Sequence, residues 1–360
     1  MSDTMTVCPA CDEPAVDGAE WCEACGADLD GGPESALAAP DAAPCVQCNA
    51  SATNIAADGY CGQCGHKQPD ERDHLEVDLG SLAMVTDKGK RHHRNEDFGS
   101  IGSIGDTVVL VVCDGVSTTD NPELASQFAA DTARDVLLSA LADGSIDPET
   151  ALGTAIAAAQ EAAVQVPKIV GGQGSPSCTI VAAVAKQAND GVELTVAWLG
   201  DSRAYWIETE SGDTRAIQLS VDHSWASEQV AEGLMTAAVA DADPRSHTIT
   251  RWLGADAHDL EASVSSSVQA TGQLLLCSDG LWNYAADQAA MSAQIAASDS
   301  DTPIELARSL VTFAVDSGGH DNITVAVANF MNANAVEQSI GHDGEYEPAL
   351  VTKEAAGDDS

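Results

Sequence analysis

Basic residues are scarce in this chain: 15 lysines and arginines stand against 57 aspartates and glutamates in 360 residues, a formal net charge of -42 at pH 7. A surface that acidic opposes non-specific binding to nucleic acid or to anionic membrane, both of which need clustered positive charge. Long apolar runs are missing too. None reaches the roughly 18 residues that crossing a bilayer requires, and the opening MSDTMTVCPA has neither a basic region nor an apolar one, so no secretory leader is expected. These absences predict a cytoplasmic protein with a solvated acidic exterior. At 360 residues the length allows two or three domains.

Cysteine is plentiful and patterned. Eight of the eleven cysteines fall in four C-x-x-C pairs, Cys8 with Cys11, Cys22 with Cys25, Cys45 with Cys48 and Cys61 with Cys64. In a reducing compartment such pairs favour tetrahedral zinc over disulfides, and Gly26, Gly62 and Gly65 permit the tight turns that each second pair needs. The spacing predicts two zinc ribbons, residues 1–29 and 45–69, each holding one structural zinc that supplies its folding energy. A Gly/Pro/Ala linker over 30–44 separates them, and a polar joint over 70–81 follows. Neither ribbon carries a basic stripe, so docking of a partner protein is expected of them, not nucleic-acid binding. Cys113, Cys178 and Cys277 read as core thiols, and the acidic tail 331–360, which lacks apolar periodicity, reads as disordered.

Between these ends one pattern recurs. VVLVVCDGVS, LTVAWLGDSR and QLLLCSDGLW are apolar strands that close on Asp114, Asp201 and Asp279. GGHDNITVAV inverts the order, with Asp321 ahead of the strand. If that strand runs antiparallel to the others, all four carboxylates gather at one edge of a β core. There they would repel one another and take up protons unless cations held them ionised. All-oxygen ligands suit Mg or Mn. Glu96 and Asp97 precede another strand in a polar, turn-like context. Alanine-rich helical segments over 123–142, 149–166, 287–297 and 303–315 follow the strands in pairs, which argues for a layered α+β domain.

In order, NED (95–97), CDG (113–115), SCT (177–179), GDSR (200–203), DHS (222–224), SDG (278–280) and GGHDN (318–322) resemble the metal-dependent protein phosphatases, the type 2C serine/threonine family, over about Leu82 to Asn329. The resemblance implies a four-layer αββα sandwich across 82–330, two antiparallel sheets flanked by helices. It implies a binuclear Mg or Mn centre: Asp114, Asp279 and Asp321 on the first ion; Asp114, the Gly115 carbonyl and Glu96 on the second; Asp201 with Asp279 at a weaker third position. A water activated by the two ions attacks the phosphoserine or phosphothreonine of a kinase target. Asp222 and His223 open a flap over the site. His92 and Asp97 are expected to support the ligands. The family's phosphate-gripping arginine, four residues before the glutamate, is here His92, so Arg91 or Arg94 is expected to take its place. The glycine-rich continuation after Asp114-Gly115 is replaced by Val116-Ser117-Thr118. Two functions stay open: an active phosphatase, or a pseudophosphatase that binds phosphoproteins without turnover.

Overall fold

The computed structural model describes residues 6–7, 14–15, 44–56, 59–142, 144–170, 174–189 and 191–330. The chain divides into two compact units, Met1–Pro69 and Asp70–Ser360. No described helix is long and apolar enough to cross a membrane.

In the first unit, β1 (Thr6–Val7) pairs antiparallel with β2 (Pro14–Ala15). Cys8, Cys11, Cys22 and Cys25, and with them the whole first ribbon's zinc set, lie outside the described residues. The second ribbon is described and is built from two like turns. Asn49 and Gly65, each just after the second cysteine of its pair, adopt positive φ of 58° and 73°. Their amides bond back to the carbonyls of Cys45 and Cys61, at 2.8 and 2.7 Å. The repeated turn brings the four thiols together, with Cys45 and Cys61 almost fully buried and Cys64 exposed.

The second unit runs β3 (His74–Asp78), β4 (Leu82–Asp87), β5 (Phe98–Ile104), β6 (Thr107–Cys113), α1 (Pro122–Leu141), α2 (Pro148–Val170), β7 (Ser177–Cys178), β8 (Ile180–Ala188), β9 (Gly191–Leu199), β10 (Arg203–Glu210) and β11 (Asp213–Gln218). It continues with α3 (Trp225–Ala231), α4 (Ala237–Asp241), β12 (Leu253–Gly254), β13 (Ser263–Gln269), β14 (Gly272–Cys277), α5 (Asp279–Trp282), α6 (Gln288–Ala297), α7 (Pro303–Ser317) and β15 (Ile323–Phe330). A six-stranded antiparallel sheet, in the order β11-β10-β14-β15-β4-β3, faces a five-stranded one, β13-β9-β8-β6-β5. The joint expected over 70–81 is part of this sheet, because His74–Asp78 pairs along β4 as an edge strand.

Strand periodicity explains the layers, since alternate side chains point to opposite faces. In β6, Leu110 and Val112 enter the core between the sheets, where they meet Met84, Trp198, Trp206 and Leu276. Val109, Val111 and Cys113 turn outward under α1 and α2. Likewise Val325 and Val327 of β15 pack beneath α6 and α7, while Ala326 and Ala328 face the other sheet. A strand covered on both faces must be apolar throughout, which is why VVLVVC shows no polar alternation. Alanines 125, 129 and 133 of α1 and 151, 155 and 159 of α2 are fully buried in one cluster, and their small side chains let the helices lie close. Helix α2 extends one turn beyond the expected end, carrying Pro167 inside it. On α7 a capping box joins Thr302 to Glu305, with Pro303 in the first turn.

Candidate metal centre

Antiparallel pairing brings the strand-end acids to one end of the sandwich. Phe98 pairs with Cys113, which sets Asp97 beside Asp114. Cys277 pairs with Val325, which brings the end of β14 next to the start of β15, and so Asp279 near Asp321. Ile180 pairs with Leu199, and Thr179 beyond it accepts the Asp114 amide on its hydroxyl at 3.2 Å. Thr179 also shares a 2.8 Å hydroxyl bond with Ser202, next to Asp201.

The acids then load one another electrically. Burial, with repulsion from Asp97, Asp279, Asp321 and Asp201, holds the Asp114 carboxyl far above the usual carboxylate range. Burial and the charges of Asp321 and Asp279 push Asp97 up to about 7. Asp279 is pushed to about 7 by burial and by Asp321. Asp201, 6% exposed, is raised well above the usual range by burial, then by Asp279 and Asp222. Oδ1 of Asp279 is buried and has no hydrogen-bond partner among the described residues. Such a set of oxygen donors, raised in pKa and with one atom orphaned, fits hard divalent cations. The acids are not drawn in to ligating distance: among the described residues, only the four cysteines of the second ribbon bring three or more such ligand atoms all within 4.8 Å of one another.

The remaining expected residues divide. Glu96, 6% exposed, is held on Oε1 by Arg94 Nε at 2.9 Å and on Oε2 by the Ser117 hydroxyl. Arg94 Nε also lies 3.3 Å from Glu123. His92 Nε2 sits 3.1 Å from Asp321 Oδ1. Arg91 is exposed. Gly115 is a steric necessity, since a Cβ there would lie 2.6 Å from the Glu96 carbonyl oxygen and 2.8 Å from that of Pro122. Gly280 is another, because its Cβ would overlap the Asn322 carbonyl oxygen. Asp222 forms a two-pronged pair with Arg203, at 2.9 and 2.7 Å. His223 Nδ1 accepts the Gly200 amide at 3.2 Å, and burial with the nearby Arg251 charge lowers its pKa to about 4.

Three residues outside the expected site hold it together. Asn322, 2% exposed, accepts the Glu96 amide at 2.8 Å and donates to the carbonyls of Lys88 and Arg94, tying the acidic loop to β15. Ser278 donates to Asp97 Oδ2 at 2.6 Å and accepts the Thr324 amide at 2.9 Å. Ser117 grips Glu96. Asn322 and Ser278 stood inside quoted motifs, beside acids that drew the chemical argument. Ser117 lies where the glycine-rich run is replaced.

In the second ribbon, Cys45 and Cys64 sulfurs lie 3.6 Å apart, and those of Cys48 and Cys61 3.7 Å. A tetrahedral ion with bonds of about 2.3 Å needs sulfurs about 3.8 Å apart, so the four thiols fit zinc. The Gln68 amide donates to Cys45 Sγ at 3.3 Å.

Residues 88–229 match the family described as protein phosphatase 2C. The serine/threonine phosphatase stp of Listeria innocua is 29% identical over 242 residues, covering 67% of this chain and 92% of that protein. The solved serine/threonine phosphatase PstP/Ppp of Mycobacterium tuberculosis matches with a TM-score of 0.54 at 26% identity, over 69% of this chain and 97% of that one. The PPM Ser-Thr phosphatase MsPP of Mycobacterium smegmatis gives 0.52 at 28%, over 70% and 98%. With the two facing antiparallel sheets and the acids at their shared end, these likenesses lead to one conclusion: the chain carries a domain of the protein phosphatase 2C family.

Proposed function

We propose that the protein is a Mg- or Mn-dependent serine/threonine phosphatase acting on the protein targets of a kinase. The observation that carries this reading is the convergence of Asp97, Asp114, Asp201, Asp279 and Asp321, whose mutual repulsion drives them to bind protons unless cations hold them ionised. Asp114, Asp279 and Asp321 would hold one ion, and Asp114, Glu96 and the Gly115 carbonyl a second, with Asp201 a weaker third position. Bound cations there supply Lewis-acid charge and acidify the attacking water. The phosphate needs a permanent charge with several donors. Arg94 would give it: its Nε is engaged by Glu96 and Glu123, while its terminal nitrogens make no hydrogen bond among the described residues. Arg91, exposed like Arg94 but with no ion pair to the acids among the described residues, is the lesser choice. His92 steadies Asp321 and is the group able to protonate the leaving alkoxide.

The second ribbon is a structural zinc site of Cys45, Cys48, Cys61 and Cys64, and by its matching spacing Cys8, Cys11, Cys22 and Cys25 form another. Both serve to dock a partner protein. The decisive experiment is hydrolysis of p-nitrophenyl phosphate and of a phosphothreonine peptide, with Mn and with chelator. Mn-dependent turnover of both is expected. Binding of the peptide without hydrolysis under any metal would replace this reading with the pseudophosphatase.

A further inference from the structure

Next to the acids the second unit contains a cavity of about 610 Å³, a size in the range of ligand pockets, about 300–1,000 Å³. Asp201 lines it and so joins it to the candidate metal centre, and Asp222 and Asp241 contribute two further carboxylates. The one guanidinium in its wall is spent. Arg203 is bidentate to Asp222 and lies flat on Trp282, its central carbon 3.7 Å from the ring centroid. Asp201, more than nine-tenths buried, and Asp241, exposed, take part in no ion pair among the described residues. Asp241 is the last residue of α4, where a carboxylate works against the helix dipole, so its placement does not serve that helix.

We propose that this cavity is a subsite for a lysine or arginine side chain flanking the phosphorylated residue, which makes basic phosphoproteins the preferred substrates. The inference rests on the phosphatase reading above. A long basic side chain suits the cavity in both its parts. Its methylene stem can lie along Val221 and Ala226, which line the wall, while its charged head reaches Asp241, which has no ion pair among the described residues, and faces Asp201 across the wall shared with the candidate metal centre.

The test compares kcat/KM for a phosphothreonine peptide carrying arginine at the flanking positions with that for the same peptide carrying glutamate, at saturating Mn, beside p-nitrophenyl phosphate. Wild type is expected to favour the arginine peptide by about tenfold or more. Asp241→Asn should cut that ratio at least threefold. Glu161→Gln, an equal charge change at an exposed position of α2, controls for the general field of an acidic protein and should leave the ratio unchanged. Equal shifts in both variants, no shift in Asp241→Asn, or no preference in wild type would overturn the subsite. Loss of the preference on raising Mn would assign the cavity to an inorganic cation instead. Turnover of all three substrates without charge preference sinks the subsite alone, whereas absence of turnover on every one sinks the phosphatase reading with it.

Discussion

Removing divalent cations should reverse the way stability depends on pH. Asp97 is 1% exposed and, without cations, has its carboxyl raised from the ordinary 3.8 to about 7 by burial and by its acidic neighbours. A group that binds its proton more tightly folded than unfolded favours the folded state at low pH. Between about pH 4 and pH 7 the folded protein keeps a proton that the unfolded chain has lost, so stability falls as pH rises through that window. Raising one carboxyl from 3.8 to about 7 corresponds to about 4 kcal/mol on this scale. Asp279, raised to the same value, titrates with it, so the two contributions do not simply add. From pH 5 to about 7, about two pH units, the loss is roughly 3 kcal/mol, which for a domain of this size is roughly 6–12 °C in Tm. The assay is thermal unfolding from pH 5 to 8, in chelator and in Mn, at about 1 M salt, where a Debye length near 3 Å screens the acidic surface. Tm in chelator should fall steeply between pH 5 and about pH 7, and the gain from Mn should grow across the same window. Asp97→Asn, which cannot ionise, should flatten the chelator curve. A chelator Tm that is level or rising from pH 5 to 8, or a gain from Mn that is the same at both ends, would refute the crowding argument.

Other consequences can be checked separately. Asp114→Asn or Asp279→Asn should lower Mn-dependent hydrolysis of p-nitrophenyl phosphate by at least a hundredfold with the circular dichroism spectrum unchanged; wild-type turnover at saturating Mn would exclude the shared-ligand role. Arg94→Ala should raise KM about tenfold, a loss of about 1.4 kcal/mol, and His92→Ala should chiefly lower kcat, least for leaving groups of low pKa. An unchanged KM in Arg94→Ala with a raised KM in His92→Ala would transfer the phosphate to His92. Elemental analysis should find about two zinc ions in the full chain and none after deletion of residues 1–69. That cut falls at the boundary between the two compact units, so turnover on the small substrate should survive it.

Much of this domain was legible because its strands are covered on both faces. A strand buried on one side alternates and gives weak evidence of where it ends. VVLVVC and LLLC, pressed between a second sheet and helices, are apolar without interruption, so the first carboxylate after each marks its end sharply. Antiparallel order then forced the inverted motif, Asp321 ahead of its strand, to the same end as the others, which the register bears out. Edges were less readable. The strand HLEVD at 74–78 is half exposed, and its charges are matched by Asp87 and Arg308, so its polar composition resembled a linker.

What the sequence hid at the site has a different cause. A metal-binding carboxylate is costly without its cation and therefore stands out beside an apolar strand. The side chains that hold it are neutral, small and satisfied by short hydrogen bonds, so they leave no imbalance to detect. Asn322 alone ties three backbone groups of the 88–96 loop to the start of β15 through one amide group, yet in sequence it is only another turn residue beside an aspartate. The same reasoning explains why His92 in place of arginine could not be resolved by pattern. Its contact is with Asp321, more than 200 residues away, while on the proposed reading the charge at the phosphate would come two positions later from Arg94, fixed at one nitrogen by Glu96. An arginine held at Nε by a buried glutamate loses rotational freedom before any substrate arrives. The substitution therefore exchanges a free fork for one oriented through Glu96, and any change that frees Glu96 should weaken the phosphate grip along with the metal.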